Sequence, residues 1–147
     1  VACDVDEPER VAPRTPPEAA AVKPHIPIAD LTEKEWSGQV ADLVRMLGWR
    51  RYHTFRSDRS PAGFPDEVLV RDRVVFLELK TEKGKLSDAQ RDWLTAIIVA
   101  GDEAYVARPS QLEALVECLS HNAVSTPLAL ATAVELGLTV DDPPAAA

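Results

Sequence analysis

The run V-V-F-L-E-L-K from Val74 to Lys80 constrains the fold more than any other stretch of the chain. Five of its seven residues are apolar, several of them β-branched or aromatic, which marks a strand at the centre of a sheet with both faces covered. Side chains alternate across a strand, so Glu78 and Lys80 project from one face and Leu77 and Leu79 from the other. A carboxylate and an ammonium in that setting need partners or a chemical task, because burying either one unpaired is costly. Upstream, Glu67 to Val70 is a second β-rich run, joined to Val74 by a tight turn at Arg71, Asp72 and Arg73. The hairpin folds Asp66, in the segment Gly63-Phe64-Pro65-Asp66, back toward the end of the second strand. Two carboxylates and a lysine thus converge.

Around this hairpin the periodicity predicts a helix from about Glu33 to Leu47, with Trp36, Val40, Leu43, Val44 and Leu47 at helical spacing and Gly48 ending it. Trp49 to Phe55 reads as a strand and Arg56 to Gly63 as a polar loop. Thr81 to Leu86 is a glycine-containing loop, and Ser87 caps a helix over Asp88 to Ala100. Ala104 to Ala107 reads as a strand, and Ser110 caps a helix reaching Leu119. The order α-β-β-β-α-β-α predicts an α/β fold with a small mixed sheet flanked by helices. One more short helix, begun by Thr126 with Pro127 in its first turn and stopped by Gly137, docks on this domain or on a second subunit. Trp36, Trp49 and Trp93 fall at apolar helix or strand positions, as core residues do.

With 147 residues, 46% of them hydrophobic, the chain fits one ordinary domain. Residues 1–29 hold six prolines and clustered acids without apolar period, the pattern of a disordered tail. Residues 30–120 are expected to form the domain, and 121–147 the short helix and an acidic tail. No apolar run approaches the roughly 18 residues a membrane span needs, and no basic-then-apolar leader opens the chain, so an intracellular, cytoplasmic protein is expected. Cys3 and Cys118 stand far apart with no histidine cluster nearby, which argues against a thiolate zinc site or a disulfide framework. The net charge of -8 would count against a nucleic-acid partner if it were evenly spread. It is not: residues 45–91 hold eleven basic and seven acidic side chains, and five arginines fall between Arg45 and Arg59.

The convergent trio has a bland explanation, an ion pair between Glu78 and Lys80 beside a turn aspartate. It also has a chemical one. Hard divalent cations such as Mg²⁺ or Mn²⁺ take oxygen ligands and keep several waters, which one Asp and one Glu can supply. A lysine beside such a site can orient the attacking water and stabilise charge developing on a phosphate.

The surrounding residues favour the second reading. T-E-K-E-W at Thr32 to Trp36, G-W-R-R-Y-H at Gly48 to His53, the loop with Ser57, Arg59 and Ser60, G-F-P-D, E-L-K-T at Glu78 to Thr81, G-K-L-S-D-A-Q at Gly84 to Gln90 and R-P-S at Arg108 to Ser110 occur in series. Taken together, Thr32 to Leu119 resembles the VRR-NUC branch of the PD-(D/E)xK nuclease superfamily, in the small stand-alone form common in phages. One departure is Glu67, where relatives carry an apolar residue, which bears on local packing more than on chemistry.

The resemblance implies a Mg²⁺- or Mn²⁺-dependent phosphodiesterase acting on DNA, with branched, flapped or Holliday-junction DNA as substrate, pairing into homodimers in a bacterial cell or phage-infected host. Asp66 and Glu78 would be metal ligands, Lys80 would orient the water, and Gln90 would support them. It implies a third acidic ligand on the first helix. At ~100° per residue, Glu33 lies about 20° from Val40, on the buried stripe, whereas Glu35 lies about 100° from Trp36. Glu33 is preferred, with Glu35 the alternative, since Thr32-x-x-Glu35 is also a capping box. Ser87-x-x-Gln90 has the same double reading. His53, Arg56, Ser57, Arg59 and Lys83 are candidate contacts to DNA phosphates. The competing readings are a DNA-binding or assembly module that does not cut, and a nuclease active only with a partner. The intact Asp66, Glu78 and Lys80 argue against the first.

Overall fold

The structure, a computed structural model, describes residues 27–54, 60–121 and 124–139. Cys3, Arg56, Ser57, Arg59, nearly all of the expected N-terminal tail and the last eight residues lie outside them. The elements are α1 (Glu33–Met46), β1 (Arg50–His53), β2 (Glu67–Val70), β3 (Val74–Leu79), α2 (Asp88–Val99), β4 (Glu103–Ala107), α3 (Leu112–Ser120) and α4 (Thr126–Leu136). The expected order is therefore observed. Ile28–Asp30, partly assigned to the tail, forms a 3-10 turn closed by the Asp30 N–H on Pro27 O. Among the described residues no helix is long and apolar enough to cross a membrane.

The four strands form one sheet in the order β1-β2-β3-β4. β1 and β3 each pair antiparallel with β2, and β3 pairs parallel with β4. A parallel pair cannot be closed by a tight turn, so α2 makes the crossover. The central place of β3 follows from its apolar run.

Register fixes which residues share a face. On one face Leu69, Val75, Leu77, Leu79, Tyr105 and Ala107 pack against Trp36, Val40 and Val44 of α1 and Leu115, Cys118 and Leu119 of α3. Trp36 and Trp49 are buried there as expected, and both indole N–H groups are satisfied, on Ala107 O at 3.0 Å and Leu119 O at 2.9 Å. On the other face Leu94 and Ile97 of α2 cover Ala104, Val106 and Phe76. Trp93 is only half buried, edge-on to Phe64.

The short last helix docks on its own domain. Thr132 of α4, buried, accepts a 3.0 Å hydrogen bond from the Val106 N–H of the edge strand β4, and both Arg108 Nε and Nη2 donate to the Glu135 carboxylate at 2.8 and 2.9 Å. An otherwise open strand edge is thereby occupied. Its cap is Ser125, whose hydroxyl accepts from Leu128 N–H, and Gly137 ends it at φ 69°. Ser110 does not cap α3 as expected. It sits in a 3-10 turn, Pro109–Gln111, where its N–H and hydroxyl both bond the Glu82 carboxylate.

Candidate active site

Continuing the observed registers by one residue sets Thr54, Asp66 and Glu78 side by side on the face of the sheet that carries α2. The Thr54 N–H on Asp66 O, 3.0 Å, shows that the β1–β2 ladder does continue that far. Directly opposed residues on neighbouring strands bring their Cβ atoms to roughly 5 Å. Asp66 is held by a second bond, its Oδ2 accepting the Leu79 N–H at 3.0 Å. Upstream, Gly63 sits at φ 92° with its Cα against the Ala89 backbone, where a Cβ would collide. Only glycine lets the loop press on the first turn of α2. Phe64 then packs edge-on to Phe76 and Trp93 and anchors the approach to Asp66.

Glu78 is fully buried. Its Oε1 accepts from Lys80 Nζ at 3.0 Å and from Gln90 Nε2 at 2.5 Å. Its Oε2 is buried with no hydrogen-bond partner. Burial first, and the charge of Asp66 second, push this carboxyl up to about 7, against the opposing effect of Lys80. Gln90 makes the capping bonds and a bond to Glu78 at once. Its Oε1 accepts from the Ser87 N–H at 2.9 Å and completes the capping box of α2, while its Nε2 holds Glu78.

Asp66 and Lys80 open on a cleft of about 490 Å³ at the end of the sheet, where α1 and α2 both begin. α1 contributes Glu33, Lys34 and Ser37, β1 contributes His53 and the adjoining Thr54, and α2 contributes Gln90. Glu33 is exposed on the cleft wall rather than on the buried stripe that helical phase predicts. It stands in the first turn, before α1 settles onto the core at Trp36. Glu35 is engaged elsewhere: its Oε2 accepts from the Thr32 N–H at 2.9 Å and hydroxyl at 2.7 Å, bonds that lower its pKa. Among the described residues, no three His, Cys, Asp or Glu side chains are gathered as a ready-made metal cage. Glu33 therefore shares the cleft with Asp66 without closing a trio around Glu78.

The departure at Glu67 has a structural counterpart on the opposite face. Glu67 is fully buried, with Oε1 2.6 Å from Arg51 Nη2 and 2.9 Å from His53 Nδ1, while Oε2 lacks a partner. His53 thus stands in the cleft wall as part of a charged cluster. Lys83 is exposed and lies outside the cleft lining. Lys34, Ser37 and Thr54 were not singled out from the sequence. Ser37 lies one helical turn beyond Glu33 and Thr54 opposite Asp66, and those spacings were the available signals.

Much of the positive excess over residues 45–91 is spent inside the domain. Arg51 is held by Glu67, and Arg73 by Glu103 at 2.8 Å. Arg71 lies over the Trp49 ring, 4.4 Å from its centre.

Neither a curated protein nor a solved structure matches the chain. The family model of the VRR-NUC domain matches residues 18–111, a span that contains Glu33, His53, Asp66, Glu78, Lys80 and Gln90. That is well over half of the sequence, and the α/β core with its mixed four-stranded sheet agrees with it, so the chain belongs to the VRR-NUC domain family, a family of nuclease domains.

Proposed function

We propose that the protein is a Mg²⁺- or Mn²⁺-dependent endonuclease that hydrolyses phosphodiester bonds in DNA containing branches, flaps or junctions. The observation that carries this reading is the pairing of Asp66 with Glu78 across adjacent strands, with Lys80 at 3.0 Å from Glu78. The donor set fits a hard cation. Glu78 Oε2 is a buried carboxylate oxygen with no protein partner, and Asp66 has committed only Oδ2. A buried anionic oxygen left in that condition is costly unless something positive completes it. Asp66 and Glu78 are the ligands we assign; Glu33, on the wall of the same cleft, would join them as a third only by turning its side chain inward.

When bound, the cation supplies Lewis-acid polarisation of the phosphate and a more acidic water. Lys80 orients that water and offsets charge building on the phosphate oxygens. Gln90 fixes the Glu78 rotamer from the first turn of α2. His53 and Lys34 offer the DNA backbone donors at the cleft wall. These contacts position a strand without reading bases, which suits a substrate chosen by shape. A homodimer would present two such clefts to the arms of a junction.

The test is cleavage of labelled single strand, linear duplex, 5′ flap and four-way junction with Mg²⁺ or Mn²⁺, with EDTA and Lys80→Ala as controls. Metal-dependent cutting of branched substrates, lost in the variant, is expected. Binding of junctions without cutting under any condition would overturn the reading in favour of an assembly module or a nuclease awaiting a partner.

A further inference from the structure

The face of the sheet that carries Asp66 and Glu78 is covered only in part. α2 lies over β3 and β4, where Phe76, Ala104 and Val106 meet Leu94 and Ile97. Over β1, β2 and the start of β3 no helix among the described residues covers that face. Tyr52 is 65% exposed, Val70 41% and Val74 39%. The registers arrange this face in rows. The first holds Thr54, Asp66 and Glu78, the second Tyr52, Val68 and Phe76, and the third Arg50, Val70 and Val74. Successive rows lie about 7 Å apart along the strands, the scale of one extended nucleotide.

We infer that Tyr52 and Arg50 form a platform for unpaired nucleotides of the DNA, on which a base stacks one step from the bond to be cut. The inference rests on the nuclease reading and names how that site takes its substrate. Three features favour a single strand here. The patch is continuous with the cleft through Thr54, which is bonded to Asp66. Tyr52 presents an aromatic ring to solvent where a strand needs only a half-buried residue, and every base has a face that can stack on it. Arg50 is exposed on the same side and, unlike Arg51 and Arg73, is not spent on an internal carboxylate among the described residues. Aromatic surface beside a free guanidinium matches the chemistry of single-stranded nucleic acid, a base plus a phosphate. The three tryptophans do not serve this purpose, since Trp36 and Trp49 are buried and Trp93 is packed on Phe64.

The experiment measures binding of the full chain in EDTA to a fluorescent flapped duplex, a single strand and a blunt duplex, for wild type, Tyr52→Ala and Tyr52→Phe. Stacking of one base sets the expected loss at about tenfold or more for Tyr52→Ala on the flapped and single-stranded DNA. The loss on blunt duplex should be smaller, and Tyr52→Phe should retain most of the affinity because the ring is kept. An equal loss on all three DNAs, or none, overturns the inference. So does sedimentation showing that wild type pairs into dimers which Tyr52→Ala dissociates while the DNA contrast stays the same, because the face would then join two copies. Wild type that cuts metal-dependently with Tyr52→Ala indistinguishable from it removes only this platform. Wild type that neither binds nor cuts removes the nuclease reading itself.

Discussion

Replacing Glu78 with glutamine should stabilise the metal-free protein at pH 8, and the gain should vanish in acid. The folded state holds the Glu78 carboxyl at about 7, against 4.5 for an ordinary glutamate, chiefly because it is buried and secondarily because Asp66 faces it. Between those two values the unfolded chain has released the proton and the folded chain keeps it. The folded state therefore binds more protons across that window, and stability falls as pH rises through it. Each tenfold difference in proton affinity is worth about 1.4 kcal/mol, so the interval from 4.5 to about 7 corresponds to about 3 kcal/mol, all of it lost above pH 7. Glutamine does not titrate. The swap also alters the bonds to Lys80 and Gln90, but the part of that cost that does not vary with pH cancels when the two proteins are compared at two pH values. Urea unfolding of both in EDTA at pH 4 and pH 8 reads the quantity directly. The variant-minus-wild-type difference should move by about 3 kcal/mol toward the variant at pH 8, and Mg²⁺ at pH 8 should then raise wild type but not the variant. Parallel stability profiles across the whole range would refute the argument that Glu78 carries the burden of the site.

Other positions test separate parts of the structure. Arg51→Ala should destabilise by roughly 3 kcal/mol, since it strips the fully buried Glu67 of a 2.6 Å partner, whereas Glu67→Leu should fall within about 1 kcal/mol of wild type because Arg51 and His53 can return to water; equal losses in thermal melts would contradict this. Gly63→Ala should cost about 1–3 kcal/mol through its left-handed backbone and the contact with Ala89. It should also lower cleavage by moving Asp66, and a variant with native stability and native rate would count against that loop as the support of the site. Thr132→Val leaves the Val106 N–H without its partner and should cost about 1–3 kcal/mol. It should also raise the light scattering of heated samples, and unchanged melting and scattering would remove α4 as the guard of the edge strand.

The site was legible in the sequence where its chemistry is local. Asp66, Glu78 and Lys80 lie on one hairpin, so strand alternation and a tight turn suffice to bring them together. Both capping boxes, at Thr32 and Ser87, formed as their spacing predicts. The second use of Gln90 was not legible, because it depends on how α2 is set against β3 across a loop. The same holds for Glu67. Its residue type gave no sign that Arg51 and His53 would meet it, since that follows from strand register alone. Glu33 is a mixed case: helical phase predicts it on the buried stripe, whereas in the first turn of α1 it is exposed, and it still lines the cleft with Asp66. Ser110 was misjudged because a serine after proline satisfies the local pattern for a cap, while its actual partner, Glu82, is 28 residues away.

The clasp of α4 on β4 separates the unit recognised as a family from the unit that folds. The family match ends at residue 111. The carbonyl that satisfies Trp49 belongs to Leu119, the side chain that closes the sheet edge belongs to Thr132, and Leu115, Leu119 and Leu128 are fully buried in the core. A chain ended at Gln111 would keep every residue of the cleft and yet present a naked strand edge and a core open on one side. In this protein the span shared with the family and the physical domain have different borders, and the core and the sheet edge are completed beyond the first.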